Sequence, residues 1–156
     1  LVETILGTLS RHNVPPEQLI LEVTETTAMS NPDESVRVLT ELSDAGVKAS
    51  IDDFGTGYSS LLYLKRLPAC ELKIDRAFVR ELGQEGEDAT IVSAIVALAR
   101  TLNLKVVAEG VETEQQQAFL TELGCNTLQG YLLGKPVSAE TITAQGNNFM
   151  PVEKVS

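Results

Sequence analysis

The sequence predicts an α/β fold on a parallel sheet, specifically a (β/α) barrel that is incomplete within these residues. One unit recurs along the chain. An apolar strand of about five residues ends in polar or acidic groups, and a helix then returns the chain to the next strand. Strict alternation of strand and helix requires parallel pairing with helices over the sheet. An open doubly wound sheet and a (β/α)8 barrel both satisfy that alternation, but no G-x-G-x-x-G follows any strand. Each of five strands also delivers polar groups at its C-terminal end, where a barrel gathers them at one mouth. Five strands cannot close an eight-stranded barrel, so about five βα units are expected here.

The elements follow in order. "LVETILGTLSRH" reads as an amphipathic helix with Val2, Ile5, Leu6 and Leu9 on one face. Because the chain opens on Leu1 inside such a helix, it is expected to be a piece of something longer. The first strand is Leu19–Val23. The next helix has Asn31 as its cap, Pro32 at its first position, Asp33 and Glu34 in its first turn and Gly46 past its end. Val38, Leu39, Leu42 and Ala45 form its apolar stripe. Strand Val47–Asp52 precedes a short helix from Ser59 to about Arg66, and strand Glu71–Ile74 follows. The helix "DATIVSAIVALARTL" is apolar over much of its circumference. Beyond strand Leu104–Ala108, Thr113 and Gln116 form a capping-box pattern, and Gly124 stops that helix after Phe119, Leu120 and Leu123. The last strand is Thr127–Gln129. Residues 1–145 read as one domain portion, and 146–156 as a C-terminal tail.

Composition narrows the function. The 156 residues carry a net charge of −10, with 43% hydrophobic and 22% charged residues. That is enough apolar material for a core, and no basic cluster exists to neutralise a nucleic-acid polymer. An acidic protein can still bind a phosphate-bearing ligand through divalent cations. The two cysteines, Cys70 and Cys125, form no disulfide framework or zinc site and read as small core residues of a cytoplasmic protein. No apolar run is long enough to span a membrane, so no membrane contact is expected from this segment.

The polar strand ends carry the chemistry. They comprise Glu22 and Glu25, Asp52 and Asp53, Lys73 and Asp75, Glu109 and Glu112, and Gln129. Successive strand residues face opposite ways, so Asp52 and Asp53 share a site only where the strand ends and the chain turns. A solvated acidic turn would satisfy the pair taken alone. Glu22 and Glu109 at equivalent strand ends make a hard divalent metal the economical reading, since converging carboxylates repel without one. Adjacent aspartates could bridge two ions, as in two-metal phosphoryl-transfer sites. Lys73, mid-strand among apolar neighbours, is costly to bury unpaired. It could neutralise a carboxylate, position a water, contact a phosphate or form a Schiff base. Gly55, Thr56 and Gly57 resemble a phosphate cradle, although a plain strand-to-helix turn explains them as well. Glu25, Asp75 and Glu112 could equally be caps or surface pairs. His12 is assigned no chemistry.

Four stretches, "LEVTET", "IDDFGTGYSSLLYLKRLPACELKIDRAFV", "VVAEGVET" and "LQGYLLGKP", resemble the successive motifs of the EAL domain family. That resemblance implies hydrolysis of the bacterial second messenger cyclic di-GMP to linear pGpG. It also implies a variant (β/α)8 barrel of about 250 residues, of which this chain resembles the C-terminal two-thirds. It makes Glu22, Asp52, Asp53 and Glu109 ligands of two divalent ions, Mg²⁺ or Mn²⁺. Lys73 corresponds to the lysine that holds a water or metal-bound species, and Gln129 completes the mouth. Asp53, Lys73, Glu109 and Gln129 are thus the implied catalytic set. Glu112 would steady the loop from Asp53 to Ser60, with Asp75, Gly55, Thr56 and Gly57 close to substrate. The family's dimer-coupling loop and the helix around Ile91–Ala99 imply a homodimer, and a sensory or GGDEF-like domain is the implied neighbour upstream. The Glu-Ala-Leu motif and the family's Asn ligand are absent from these residues, so the chain alone is expected to be inactive. A receptor that binds cyclic di-GMP without cleaving it is the alternative.

Overall fold

The computed structural model describes residues 1–55, 61–82 and 88–145. Five strands form one parallel sheet: β1 (Ile20–Thr24), β2 (Lys48–Phe54), β3 (Glu71–Ile74), β4 (Lys105–Ala108) and β5 (Thr127–Leu128). Their spatial order is their order in the chain. That order discriminates between the two architectures. Right-handed crossovers that always advance in one direction leave every helix on the same face, which curls the sheet into a barrel sector. A doubly wound sheet must reverse direction at a switch point, and this sheet has none.

Among the described residues eight α-helices accompany the strands: α1 (Val2–Arg11), α2 (Glu25–Ser30), α3 (Pro32–Asp44), α4 (Leu61–Leu64), α5 (Arg76–Arg80), α6 (Asp88–Thr101), α7 (Glu114–Leu123) and α8 (Ala139–Gln145), besides a 3₁₀ turn at Pro16–Gln18. The expected strands lie within two residues of those observed. In α7 both halves of the capping box form. The Thr113 hydroxyl accepts from the Gln116 N–H at 3.2 Å, and Gln116 Oε1 accepts from the Thr113 N–H at 3.0 Å. Gly124, at φ 84°, ends the helix in the left-handed region. Asn31 does occupy the cap position of α3, but its side chain makes no capping bond. Asn31 also closes α2, which ends one residue earlier, and its backbone, at φ −141° and ψ 80°, serves both helix ends. The short helices α2 and α5 were not foreseen. Each starts on the residue after a strand exit, nucleated by Thr24 and Asp75 as caps, and is too short to show a period.

The two sheet faces differ sharply. Ala49, Ile51, Leu72, Ile74, Val106 and Ala108 are buried beneath Leu39 and Leu42 of α3, Val92, Val96 and Ala99 of α6 and Leu120 of α7. The other face is polar: Glu22 pairs in register with Ser50, Ser50 with Glu71, and Glu71 with Lys105. Helix α6 buries Val92, Ile95, Val96 and Ala99 and leaves Ile91 exposed. The two cysteines are free and half-buried, and burial pushes the Cys125 thiol up to about 11. Among the described residues no helix is long and apolar enough to cross a membrane.

Candidate metal centre

The site is built around an irregularity in β2. Its register against β3 shifts between Ile51 and Phe54, and Asp53 lies in the left-handed region at φ 54°. The strand therefore does not end at Asp52, as the alternation argument required. It continues to the buried Phe54 with one extra residue bulged out. A bulge lets neighbouring side chains escape strict alternation, so Asp52 and Asp53 serve the same mouth. The Asp53 N–H donates to Asp52 Oδ1 at 3.0 Å. A non-glycine residue held in this conformation is the kind of local strain that clusters at functional sites.

One carboxylate oxygen each from Asp52, Asp53 and Glu109 lies within 4.8 Å of the others. Oxygen donors on half-buried carboxylates fit a hard divalent cation. Lys73 runs through the centre of the group and is only 5% exposed. Its Nζ lies 2.7 Å from Glu109 Oε1, 2.9 Å from Glu22 Oε1 and 3.3 Å from Asp52 Oδ1. Burial works against the ammonium, but bonds to Glu109 and Glu22 and the charge of Asp52 outweigh it, holding Lys73 above the ordinary lysine range. Four carboxylates then face a single ammonium, an excess of negative charge that a cation would balance. The crowding registers on Asp53. Desolvation, a hydrogen bond with Asp75, and the charges of Asp52, Asp75 and Glu109 all push its carboxyl up. Glu22 stands apart from the close trio, with a side chain 55% exposed, and joins the group through Lys73.

The surrounding residues are placed by backbone contacts. Glu25, at the start of α2 and 1% exposed, accepts the Gly55 N–H at 2.8 Å, tying α2 to the exit of β2. Gly55 has φ +99°, and a Cβ there would come within 2.9 Å of Phe78 and 3.1 Å of Ile95. Sequence reasoning placed Glu25 among several second-rank acids. Its partner is a backbone N–H thirty residues away, which no local pattern reveals. Glu112 is exposed ahead of α7, its N–H donating to Gln116 Oε1 at 2.8 Å. Asp75 caps α5 by accepting the Ala77 N–H at 2.6 Å. Gln129 is exposed just past β5, its N–H on Ala108 O and its carbonyl accepting from Val111 N–H. The next residue must be glycine, because a Cβ on Gly130 would overlap the Val111 backbone. Thr56 and Gly57 lie outside the described residues.

A barrel sector whose strand ends converge carboxylates around a buried lysine defines a class: α/β barrel proteins with an acidic mouth. Within that class the chain belongs to the EAL domain family, whose model matches residues 1–136. The bifunctional diguanylate cyclase/cyclic di-GMP phosphodiesterase MucR of Pseudomonas aeruginosa is 66% identical over 144 residues, covering 92% of this chain and 21% of MucR. A solved PaMucR phosphodiesterase–c-di-GMP complex superposes with a TM-score of 0.89, covering 91% of this chain and 57% of that one. BlrP1 of Klebsiella pneumoniae, solved with manganese and cyclic di-GMP, is 37% identical with a TM-score of 0.79, covering 86% of this chain and 34% of that one. The chain spans about a fifth of the length of the curated relatives it matches.

Proposed function

We propose that these residues form the metal-ligand and lysine portion of a phosphodiesterase that hydrolyses cyclic di-GMP to linear pGpG. The observation that carries this reading is the Asp52–Asp53–Glu109 trio with the Lys73 ammonium against it. Family membership and the ligand in the PaMucR complex supply the substrate class. Glu22, Asp52, Asp53 and Glu109 would hold two divalent ions, Mg²⁺ or Mn²⁺. Such ions, when bound, lower the pKa of a water and neutralise charge on a phosphate.

The chain's own residues do the rest. The bulge brings Asp52 and Asp53 to the same mouth, and the Asp53 N–H holds Asp52 Oδ1, which reduces the ordering a ligand must impose. Lys73 stays protonated and bound to carboxylates from two neighbouring strands and from the exit of β4, spacing them while placing positive charge beside an incoming phosphate. Gln129, exposed just past β5, would add a neutral donor and acceptor at the last strand end. Asp75 orients Asp53 through their shared hydrogen bond.

The test uses the native-length protein. Asp52→Asn and Glu109→Gln are each expected to abolish Mg²⁺-dependent production of pGpG, followed by chromatography of the nucleotides. Near-normal turnover in both refutes the proposal, and binding of cyclic di-GMP by the parent with no cleavage identifies a receptor instead. A second copy is the proposed partner on the outer side of α6, where Ile91 is an apolar residue that the chain's own core does not cover.

A further inference from the structure

We propose that Gln116 is a positioning residue for the acidic trio: its side-chain amide locks α5 to the loop that follows Glu109, and so sets Asp53 against Glu109. This rests on the reading of that trio as cation ligands. The capping box of α7 uses only the oxygen of the amide. Gln116 Oε1 accepts the Glu112 N–H at 2.8 Å and the Thr113 N–H at 3.0 Å. Two N–H donors on the oxygen settle the orientation of the amide, and Nε2 faces away from the box. It donates to the Arg80 carbonyl, 3.4 Å away at the end of α5. The box has no use for that donor. Gln116 is only 5% exposed, so little water competes for the bond.

Helix α5 depends on such anchors. Five residues are too few for a helix to sustain itself, so its place is set by what it touches. At its start, Asp75 accepts the Ala77 N–H and shares a hydrogen bond with Asp53. In its middle, Phe78 lies against Gly55, where a Cβ would come within 2.9 Å of the ring. Both contacts are to the exit of β2. On the other flank, a Cβ on Gly110, at φ +72°, would come within 2.6 Å of the Arg76 Cβ, so α5 also rests on the residue after Glu109.

The helix is therefore a spacer between the strand exits that carry Asp53 and Glu109. The loop on the Glu109 side is itself tied down. Val111 is fully buried, its N–H donating to the Gln129 carbonyl and its carbonyl accepting from the Leu132 N–H. Gln116 joins the far end of the spacer to this fixed loop. With Nε2 removed, the end of α5 loses its bond to the loop, and the separation of Asp53 from Glu109 is held less tightly.

The test separates the two ends of the amide in the native-length protein. Gln116→Glu keeps an oxygen for the capping box, where glutamate serves as well as glutamine, and removes the donor. Hydrogen exchange followed by mass spectrometry is expected to rise about fivefold over residues 76–82. The Kd for Mn²⁺ in calorimetry is expected to rise about tenfold, the effect of removing an outer partner of a metal ligand. An added negative charge would by itself tighten a cation, so the direction separates geometry from charge. Thr113→Ala removes the other half of the box and should lower the melting temperature with the Mn²⁺ Kd unchanged. Unaltered exchange or an unaltered Kd in Gln116→Glu overturns the proposal, as does a Kd that rises equally in Thr113→Ala. A parent that binds no Mn²⁺ overturns the metal reading itself, and the positioning role with it.

Discussion

Asp53 concentrates the opposing demands on this site. Its carboxyl is pushed above the ordinary aspartate value by desolvation, by its bond to Asp75 and by neighbouring carboxylates. The native state therefore holds that proton more tightly than the unfolded chain does. Stability falls as pH rises through the interval between the unfolded and folded values, and at neutral pH the ionised group is a net cost. Asp53→Asn is accordingly expected to raise the melting temperature in chelator near neutral pH. The gap should close below the usual carboxylate range, where both proteins are neutral there. Excess Mn²⁺ should reverse the order, because only the parent keeps the full ligand set. Thermal melts under the three conditions check the sign. Lys73 imposes no such window, since its ammonium stays charged throughout the accessible range.

Among the elements, α2 has a role its six residues do not advertise. It carries Glu25 from the end of β1 into the core, where the carboxylate holds the first peptide beyond the bulge. Glu25→Ala would remove the carboxylate that accepts the Gly55 N–H and is expected to cost about 2 kcal/mol in urea unfolding, the worth of a hydrogen bond to a charged group. It should also weaken Mn²⁺ binding in calorimetry, while Glu25→Gln retains both through its amide oxygen. The contrast between α2 and α7 shows what the sequence makes legible. The stop of α7 at Gly124 and its capping box lie within the helix's own residues, so they could be read directly. The tie from Glu25 to Gly55 spans the chain between β1 and β2, and the bulge exists only relative to the pairing with β3. Lys73 was legible as a buried cation in need of partners. That its partners would be Glu22, Asp52 and Glu109 depended on strand order, which alternation alone does not specify.

At the scale of the whole molecule, the sheet is two-sided in a functional sense. One face is a helix-covered core and the other converges on the acidic cluster. Helix α6, apolar over much of its circumference, carries Ile95 and Val96 at its centre. Both are buried in the chain's own core, 6% and 2% exposed, so charging them would unfold the protein. The exposed Ile91 is the sound probe. Ile91→Glu is expected to convert a dimer to monomer in analytical ultracentrifugation with the circular-dichroism spectrum unchanged, and an unaltered sedimentation coefficient would remove α6 from the proposed interface.

The bulge in β2 can also be considered as a matter of counting. Ile51 is opposite Leu72 and Phe54 is opposite Ile74, so three steps along one strand match two along the other. Residue 53 is the surplus letter. Excising it would leave Ile51 and Phe54 facing the partners they already have, with an uninterrupted ladder between them. A chain shortened by that single codon is expected to unfold as cooperatively as the parent in urea while losing one of its proposed cation ligands. In this strand the architecture and the chemistry are therefore written in separable residues.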